Sequence, residues 1–299
     1  MSSSPFQFTD EQAQQYLEQG CLLIPDYLSS TEVSELLQET YKLIDEFDIS
    51  THPLTKFTTE NDGEHVGDDY FLQSSDNISF FLEPGAFDSN NKLIKPKEKA
   101  VNKIGHNLLH NPVFFKETIN EKAQQIVNKL NYKDPRVLQS MIICKQPEIG
   151  GEVPSHQDGV FLFTKPQTAM GFWIALEDCD ENNGCLSYLP KSHLNSPITK
   201  RFIKKEDGKG TEFMRLDPKE STPDYSKADE DYKLLCCKKG SLILINHSVV
   251  HRSNLNLSNR SRYAYAFHVI DGVAEYDEKN WLQIPYTGGS QFQKLDLKI

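Results

Sequence analysis

The chain has 299 residues, of which 37% are hydrophobic and 25% charged, enough for one large domain or two small ones with a full core. Its mean hydropathy is -0.55, and no apolar run approaches the roughly 18–20 residues that span a bilayer, so the sequence predicts a soluble protein. The formal charge of -11 repels phosphate backbones and anionic lipid surfaces. We therefore expect neither nucleic acid nor a membrane as a partner.

The two ends of the sequence lack the layouts of secretory, transit and peroxisomal signals, so we expect a cytoplasmic protein, and a monomer. None of the six cysteines forms a Cys-x-x-Cys pair. In a reducing compartment this pattern predicts free core thiols rather than a disulfide framework or a zinc site. The cysteines are Cys21, Cys144, Cys179, Cys185, Cys236 and Cys237.

The first half of the chain predicts helices with one early strand. Thr9 and Gln12 have the spacing of a capping box, and Gly20 stands where a helix would end. Residues 21–24 then form a short apolar run typical of a strand. A second capping box begins at Ser29 and precedes apolar residues at helical spacing, and a further helix is predicted over about 113–130.

The second half predicts a β-rich structure. Seven short β-branched or aromatic runs are separated by turn residues, which indicates an antiparallel double-sheet barrel, a jelly roll, with flanking helices. The runs are 137–144, 160–163, 171–176, 185–189, 234–237, 241–246 and 263–270. We expect a single domain over 1–299, with a helical flank over about 1–135 and a barrel over about 136–272.

Two polar segments interrupt this pattern. Residues 49–69 read as a surface loop, and the charged stretch 196–231 reads as an insertion between strands of the barrel. Both are lid candidates, because loops beside a buried site often close over it.

The candidate metal site begins at His156-Gln157-Asp158. On an extended strand the side chains at i and i+2 point to one face, so an imidazole and a carboxylate would reach the same cation. The spacing alone decides nothing, since a chain with nine histidines and 43 acidic residues contains about one such tripeptide by chance. His251 follows a later apolar strand and would complete a facial triad of two imidazoles and one carboxylate, as in non-haem Fe(II) oxygenases. His247, four residues earlier, is its rival.

Arg262 starts the strand that follows His251. A buried guanidinium grips a carboxylate through two parallel hydrogen bonds, so Arg262 would anchor a dicarboxylate whose other end chelates the metal. The cosubstrate 2-oxoglutarate meets that requirement. Arg260 is the rival anchor, because residues two apart share a strand face. Each residue also has a structural interpretation: Asp158 as a turn cap, His156 as a surface imidazole and Arg262 as half of an ion pair.

The sequence resembles the phytanoyl-CoA dioxygenase family over nearly its whole length. The matching segments are 102–106, 139–141, 150–153, 156–158, 183–186, 190–193, 260–262 and 280–283. The resemblance implies a double-stranded β-helix that holds Fe(II) and uses 2-oxoglutarate and O₂, giving succinate, CO₂ and a hydroxylated small molecule. Because the charge of -11 gives no global attraction for a phosphorylated thioester, we expect a substrate other than phytanoyl-CoA.

The resemblance also implies which residues contact 2-oxoglutarate beyond the metal ligands. They are Lys103, Met141, Trp173 and Ser253, besides Arg262. Read from the sequence alone, Met141 and Trp173 are more simply core residues. Lys191 departs from the family, which often has glycine there, so we expect that turn to differ. His193 is read as structural.

Two other interpretations stay open at this point. A metal hydrolase or cupin-like enzyme would use the same barrel. Such an enzyme usually needs more histidines, and this interpretation gives Arg262 no role. A binding module with a vestigial iron site would retain the residues without turnover. Consumption of 2-oxoglutarate discriminates between these interpretations and the oxygenase.

Overall fold

The computed structural model describes residues 5–56, 68–217, 219, 225 and 229–296. The α-helices of these parts of the chain are α1 (Asp10–Gln19), α2 (Ser30–Glu46), α3 (Asp69–Gln73), α4 (Lys97–Ala100), α5 (Pro112–Thr118), α6 (Glu121–Lys129), α7 (Asp158–Phe161) and α8 (Ser192–Asn195). None of them has the length and apolar character needed to cross a membrane.

The strands of the same ranges form three sheets. They are β1 (Cys21–Ile24), β2 (Ile78–Leu82), β3 (Val101–His106), β4 (Pro135–Lys145), β5 (Val153–His156), β6 (Met170–Ala175), β7 (Leu186–Tyr188), β8 (Lys200–Lys204), β9 (Thr211–Arg215), β10 (Lys233–Leu234), β11 (Leu242–Asn246), β12 (His251–Ser253), β13 (Arg262–Asp271) and β14 (Gln293–Lys294). The large sheet has the order β1-β11-β6-β13-β4-β3-β2, with β14 also on β4, and the small sheet has the order β10-β7-β12-β5.

The large sheet separates two hydrophobic clusters. On one face, residues such as Phe172 and Tyr265 pack against apolar side chains of the helices. On the other face, Trp173 and Ala264 pack against Leu186 and Tyr188 of the small sheet. Since successive strand residues point to opposite faces, each long strand contributes to both clusters. The fold is the predicted double-stranded β-helix with flanking helices.

The predicted capping boxes are confirmed at both early helices. The hydroxyl of Thr9 accepts from the backbone of Gln12, whose side chain accepts from the backbone of Thr9, and Ser29 makes the same reciprocal pair with Glu32. Gly20 ends α1 in the left-handed conformation, with φ at 82°. That conformation costs glycine nothing, which explains why the helix stops there.

Four sequence predictions of secondary structure were wrong in detail. The strand predicted over 234–237 overlaps the observed β10 at Leu234 alone. Residues 160–163 are not a strand, because Asp158–Phe161 turns into α7; a four-residue apolar run has no periodicity to distinguish the two. The single helix expected over 113–130 is two, because a new helix begins at Glu121, where the Asn120 side chain caps it by accepting from the backbone N–H of Ala123. In the flank expected to be helical, β2 and β3 join the large sheet beside β4. The assignment of the whole chain to one domain stays a prediction.

The turn at Lys191 has the left-handed backbone conformation that lysine was expected to disfavour. Lys191 takes the left-handed conformation, with φ at 64°, and its backbone N–H donates to the carbonyl of Gln19 over 3.0 Å. The left-handed conformation is unfavourable for a residue with a Cβ. Lys191 adopts it nevertheless, at a position where its backbone hydrogen bond joins the turn to the end of α1.

The insertion contains structure that its composition did not predict. The strands β8 and β9 form a hairpin, and β8 packs against α7 beside the candidate metal site. Parts of both lid candidates, residues 57–67, 218, 220–224 and 226–228, lie outside the described residues, so the lid interpretation stays a hypothesis.

Candidate active site

Three elements bring His156, Asp158 and His251 together. His156 ends β5, Asp158 begins α7, and His251 begins β12. His251 is directly opposite His156 in the antiparallel register of β5 and β12. Gln157 between the first two ligands is extended, with φ at -124° and ψ at 128°, so the side chains of its two neighbours point to the same side. The three side chains therefore converge although they come from distant parts of the sequence.

The ligand atoms of this cluster are close enough for one cation. One nitrogen or oxygen from each of His156, Asp158 and His251 lies within 4.8 Å of the others, and no other group of three or more His, Cys, Asp or Glu among the described residues meets that test. Oδ1 of Asp158 is 3.6 Å from Nε2 of each histidine. A single ion between these atoms would touch all three side chains.

Backbone carbonyls orient both imidazole rings. Nδ1 of His156 is 2.8 Å from the carbonyl of Pro154, and Nδ1 of His251 is 3.1 Å from the carbonyl of Val249. A carbonyl only accepts, so Nδ1 of each ring carries the proton and Nε2 presents its lone pair toward Asp158. This is the usual arrangement around metal-ligating histidines.

The charges of the buried ligands suit a divalent cation. Burial and the neighbouring His156 lower the pKa of His251 to about 4, so its imidazole is neutral near pH 7. Burial by itself would raise the pKa of Asp158, but His251, His268 and His156 hold that pKa well below its usual range. Neutral imidazoles and an ionised carboxylate are the protonation states that bind metals.

His268 is a residue of the site that the sequence reasoning missed. Its Nε2 donates to Oδ2 of Asp158 over 3.3 Å, and its Nδ1 accepts from the side chain of Gln139 over 3.3 Å. Gly171 makes room for this contact, because an added Cβ would lie 3.3 Å from both Oδ2 of Asp158 and Nε2 of His268. The sequence signal that could have identified His268 is the alternation of side chains along a strand. His268 lies on the same, inward-facing side of β13 as Arg262.

Arg262 lies in the interior beside Trp173 and Ser253. Only 1% of it is exposed, and its guanidinium carbon is 5.2 Å from the centre of the Trp173 ring. Its Nη2 donates to the hydroxyl of Ser253 over 3.1 Å, whereas its Nε and Nη1 are buried without a hydrogen-bond partner. The indole nitrogen of Trp173 is also buried without one. Unpaired buried donors are costly, so these atoms point to an acceptor supplied by a ligand.

Two buried lysines lie on the same face of β4 and its neighbour β3 as the position opposite Arg262. In register, Lys145 of β4 is opposite Arg262, and Lys103 of β3 is opposite Ile143. Burial lowers the pKa of both lysines well below the usual value. Lys145 donates to the carbonyls of Gly151 and Asn254, at 2.7 and 2.5 Å, so it holds the backbone. Met141 of β4 belongs to the hydrophobic cluster that contains Trp173.

The alternative metal ligand His247 and the alternative anchor Arg260 lie outside the groups of residues described above. His247 is outside the three-residue cluster, and its Nδ1 lies 2.5 Å from the hydroxyl of Ser248. The side chain of Arg260 is 54% exposed and bonded to Asp180, and Arg260 precedes β13 rather than belonging to it. Nε2 of His193 lies 2.9 Å from the carbonyl of Leu17.

A match to a protein-family model shows which family the chain belongs to. The model described as phytanoyl-CoA dioxygenase (PhyH) matches residues 16–264, most of the chain. The chain belongs to the phytanoyl-CoA dioxygenase family. Curated members of that family are similar over nearly their whole length. A Caenorhabditis elegans protein named phytanoyl-CoA dioxygenase domain-containing protein 1 homolog is 40% identical over 268 residues, 88% of this chain and 92% of its own. An Arabidopsis thaliana protein named phytanoyl-CoA dioxygenase is 38% identical, covering 92% of this chain and 93% of its own.

Solved structures of more distant proteins share the fold of this family member. The non-haem alpha-ketoglutarate-dependent epimerase SnoN from nogalamycin biosynthesis superposes with a TM-score of 0.63 at 16% identity, covering 96% of this chain and 98% of its own. EctD from S. alaskensis, solved with 2-oxoglutarate and 5-hydroxyectoine, superposes with a TM-score of 0.61 at 15% identity, covering 93% of this chain and 82% of its own. At such identities the likeness establishes the fold alone.

Proposed function

We propose that this chain is an Fe(II)- and 2-oxoglutarate-dependent oxygenase that hydroxylates a small molecule other than phytanoyl-CoA. The observation that carries the proposal is the pairing of an open three-residue metal cluster with a buried arginine whose Nε and Nη1 have no partner. Neither feature alone distinguishes an oxygenase from a hydrolase. Together they suit a cosubstrate that has a chelating end and a distant carboxylate.

The residues fit an iron ion. His156, Asp158 and His251 would hold it, because two neutral imidazoles and one carboxylate form the facial set that Fe(II) oxygenases use. Three protein ligands leave positions for a cosubstrate and oxygen, whereas a closed structural zinc site takes four. Iron bound with 2-oxoglutarate and O₂ supplies the oxidising chemistry that yields succinate, CO₂ and a hydroxylated product.

The chain's own residues would bind and orient 2-oxoglutarate. Arg262 would take its distal carboxylate, with Ser253 fixing the guanidinium through the 3.1 Å hydrogen bond. Lys103 is buried in the same region, and a bound dianion would favour its protonated form, so that it would add a second positive charge when the cosubstrate is present. Trp173 lies beside the arginine and belongs with Met141 to one apolar cluster, which would exclude water and strengthen the charge interactions. We propose the indole N–H of Trp173 as a further donor to the cosubstrate.

An aromatic wall beside the metal ligands supports a substrate with an apolar C–H region. The ring of Phe161 lies 6.2 Å from that of His156, and it contacts Phe202 and Phe213 of the insertion hairpin at 5.6 and 5.9 Å. The hairpin thus brings apolar surface to the side of the ligand set that bears His156. We propose that this surface contacts the substrate.

Release of succinate from 2-oxoglutarate tests the proposal. Purified wild-type protein is supplied with Fe(II), 2-oxoglutarate and O₂, and compared with His156→Ala and Asp158→Ala. We expect slow succinate release from the wild type even without substrate, and background release from both variants. A silent wild type would contradict catalysis and favour a binding module, while active variants would contradict the ligand assignment. Addition of phytanoyl-CoA should not stimulate release; a clear stimulation would overturn the substrate proposal.

A further inference from the structure

Two cysteines face each other just beyond the ends of neighbouring strands of the small sheet, with Cys185 directly before β7 and Cys236 two residues after β10. The register of β10 and β7 pairs Lys233 with Tyr188 and Leu234 with Ser187, so two residues further on Cys236 comes opposite Cys185. Their sulfur atoms are 3.6 Å apart. Cys185 is buried in the cluster that contains Trp173, whereas Cys236 is exposed. The thiol of Cys236 is therefore accessible to solutes, and the thiol of Cys185 lies beside it in the interior.

A second pair of cysteines adjoins the first. The backbones of Cys179 and Cys237 exchange two hydrogen bonds, of 2.8 and 3.0 Å, and both residues are less exposed than Cys236. The Cα atoms of a directly opposed, hydrogen-bonded pair are about 5.5 Å apart, a separation that suits a disulfide, so Cys179 and Cys237 are the rival pair and solvent access is what distinguishes the two. Solvent access therefore favours Cys236 as the first thiol that a soluble oxidant meets, and proximity favours Cys185 as its partner.

We propose that Cys185 and Cys236 form an oxidation site, a dithiol that a peroxide converts into a cross-strand disulfide. In the first step the sulfur of Cys236 attacks hydrogen peroxide, the O–O bond breaks, and a sulfenic acid and water form. The sulfur of Cys185 then attacks that of Cys236, the S–O bond breaks, and the departing hydroxide takes the thiol proton to form a second water. Peroxide is reduced by two electrons and the thiol pair is oxidised by two.

Burial sets the rate of the second step. It raises the pKa of Cys185 to about 12, so the attacking thiolate is scarce near neutral pH. We therefore expect disulfide formation over minutes to hours rather than seconds, the range of uncatalysed thiol–disulfide chemistry. The 3.6 Å separation already brings the sulfur atoms near each other, so closure to the roughly 2.05 Å of a disulfide needs a local shift and no unfolding.

The disulfide would act on the proposed cosubstrate anchor through a short chain of hydrogen bonds. The carbonyl of Gly184, next to Cys185, accepts from the hydroxyl of Ser253, and that hydroxyl accepts from Nη2 of Arg262. Ser253 is also opposite Leu186 in the register of β12 and β7. A pull on Cys185 therefore displaces the groups that position the guanidinium. This consequence rests on the proposed function and predicts weaker 2-oxoglutarate binding in the oxidised protein.

Peptide mapping after peroxide treatment tests the oxidation site. Reduced full-length protein is treated with hydrogen peroxide, and non-reducing digests are analysed by mass spectrometry. We expect a linked peptide pair containing Cys185 and Cys236 in the wild type, in the matched control Cys237→Ser and not in Cys236→Ser, with reversal by dithiothreitol. A disulfide between Cys179 and Cys237 instead, or Cys236 oxidised to sulfinic acid with Cys185 still a thiol, would overturn the proposal.

The coupling has its own measurement. The affinity for 2-oxoglutarate is measured on Ni(II)-loaded protein, in which turnover does not occur, before and after oxidation. We expect a several-fold higher Kd in oxidised wild type and an unchanged Kd in peroxide-treated Cys236→Ser. An unchanged Kd in fully disulfide-linked wild type would overturn the coupling. Failure of the reduced wild type to bind 2-oxoglutarate would instead contradict the proposed function, and the mapped disulfide would still be seen.

Discussion

The imidazole rings of His156 and His251 lie with their centroids 4.2 Å apart, because the two residues are directly opposite each other on β5 and β12. Asp158 reaches them from the first residue of the helix that follows β5. The ladder therefore fixes the two candidate ligands His156 and His251 against each other, and the turn into α7 adds Asp158 as the third candidate. Metal affinity should depend on all three positions and not on other histidines nearby.

Replacing His251 should abolish metal binding, whereas replacing His247 should not. His251→Ala removes one of three ligands, so we expect the affinity for Co(II) to fall more than about 100-fold, beyond the 10–100-fold typical of outer-shell changes. His247→Ala is the matched control, since that residue is close in sequence and lies outside the cluster. Co(II) titration followed by visible absorption measures both. Comparable losses in the two variants would make His247 a ligand or a fold-critical residue.

His268 should tune the metal site through Asp158. His268→Ala removes the 3.3 Å hydrogen bond to Oδ2 of Asp158, so that carboxylate loses an orienting donor. We expect the Co(II) affinity to fall about 10–100-fold, with the fold retained. His268→Gln, which keeps an N–H donor, should restore part of the loss. An affinity unchanged in His268→Ala would mean that this contact does not orient the ligand.

The sequence was most informative where local chemistry acts alone. The capping pairs at Thr9 and Ser29 and the glycine stop at Gly20 follow from side-chain–backbone hydrogen bonds within a few residues, and all three are confirmed. Strands with long apolar or alternating runs, such as β4 and β13, were predicted close to their observed bounds. These features need no knowledge of distant contacts.

The sequence was least informative where contacts between distant parts of the chain determine the local structure or the role of a residue. The predicted strand 160–163 is replaced by the end of α7 at Phe161, and α7 packs against β8 of the insertion, a hairpin that the charged sequence did not predict. His268 looked like any strand residue, since its role depends on Asp158 being across the interior. The choice between Arg262 and Arg260 could not come from spacing. Burial favours Arg262 for the proposed anchor, because Arg262 is buried whereas the side chain of Arg260 is 54% exposed.

The indole nitrogen of Trp173 should contribute to cosubstrate binding. It is buried without a hydrogen-bond partner, so a bound ligand that accepts from it gains about 0.5–1.5 kcal/mol net. Trp173→Phe keeps an aromatic wall and removes the donor, so we expect the Kd for 2-oxoglutarate to rise about 2–10-fold. Isothermal titration of Ni(II)-loaded protein measures it. An unchanged Kd would restrict Trp173 to packing, as its sequence context alone suggested.

Arg262 should lower the stability of the ligand-free protein while it enables binding. Its buried guanidinium has two nitrogen atoms without partners, a cost that a bound carboxylate would offset. We expect Arg262→Met to weaken 2-oxoglutarate binding by about 3 kcal/mol, roughly 150-fold. The same change should stabilise the ligand-free protein by about 1 kcal/mol, because an unpaired buried charge is replaced by an apolar side chain of similar length.

The two effects of Arg262→Met have opposite signs, which separates binding from folding. Thermal unfolding without ligand should show a higher Tm for Arg262→Met than for wild type, and titration should show the loss of affinity. Arg260→Met is the matched control, because Arg260 is half-exposed and paired with Asp180, so both its Tm and its affinity should stay near those of wild type. A lower Tm for Arg262→Met would show that the arginine is a structural ion-pair residue, and the anchor role would then have to be sought elsewhere.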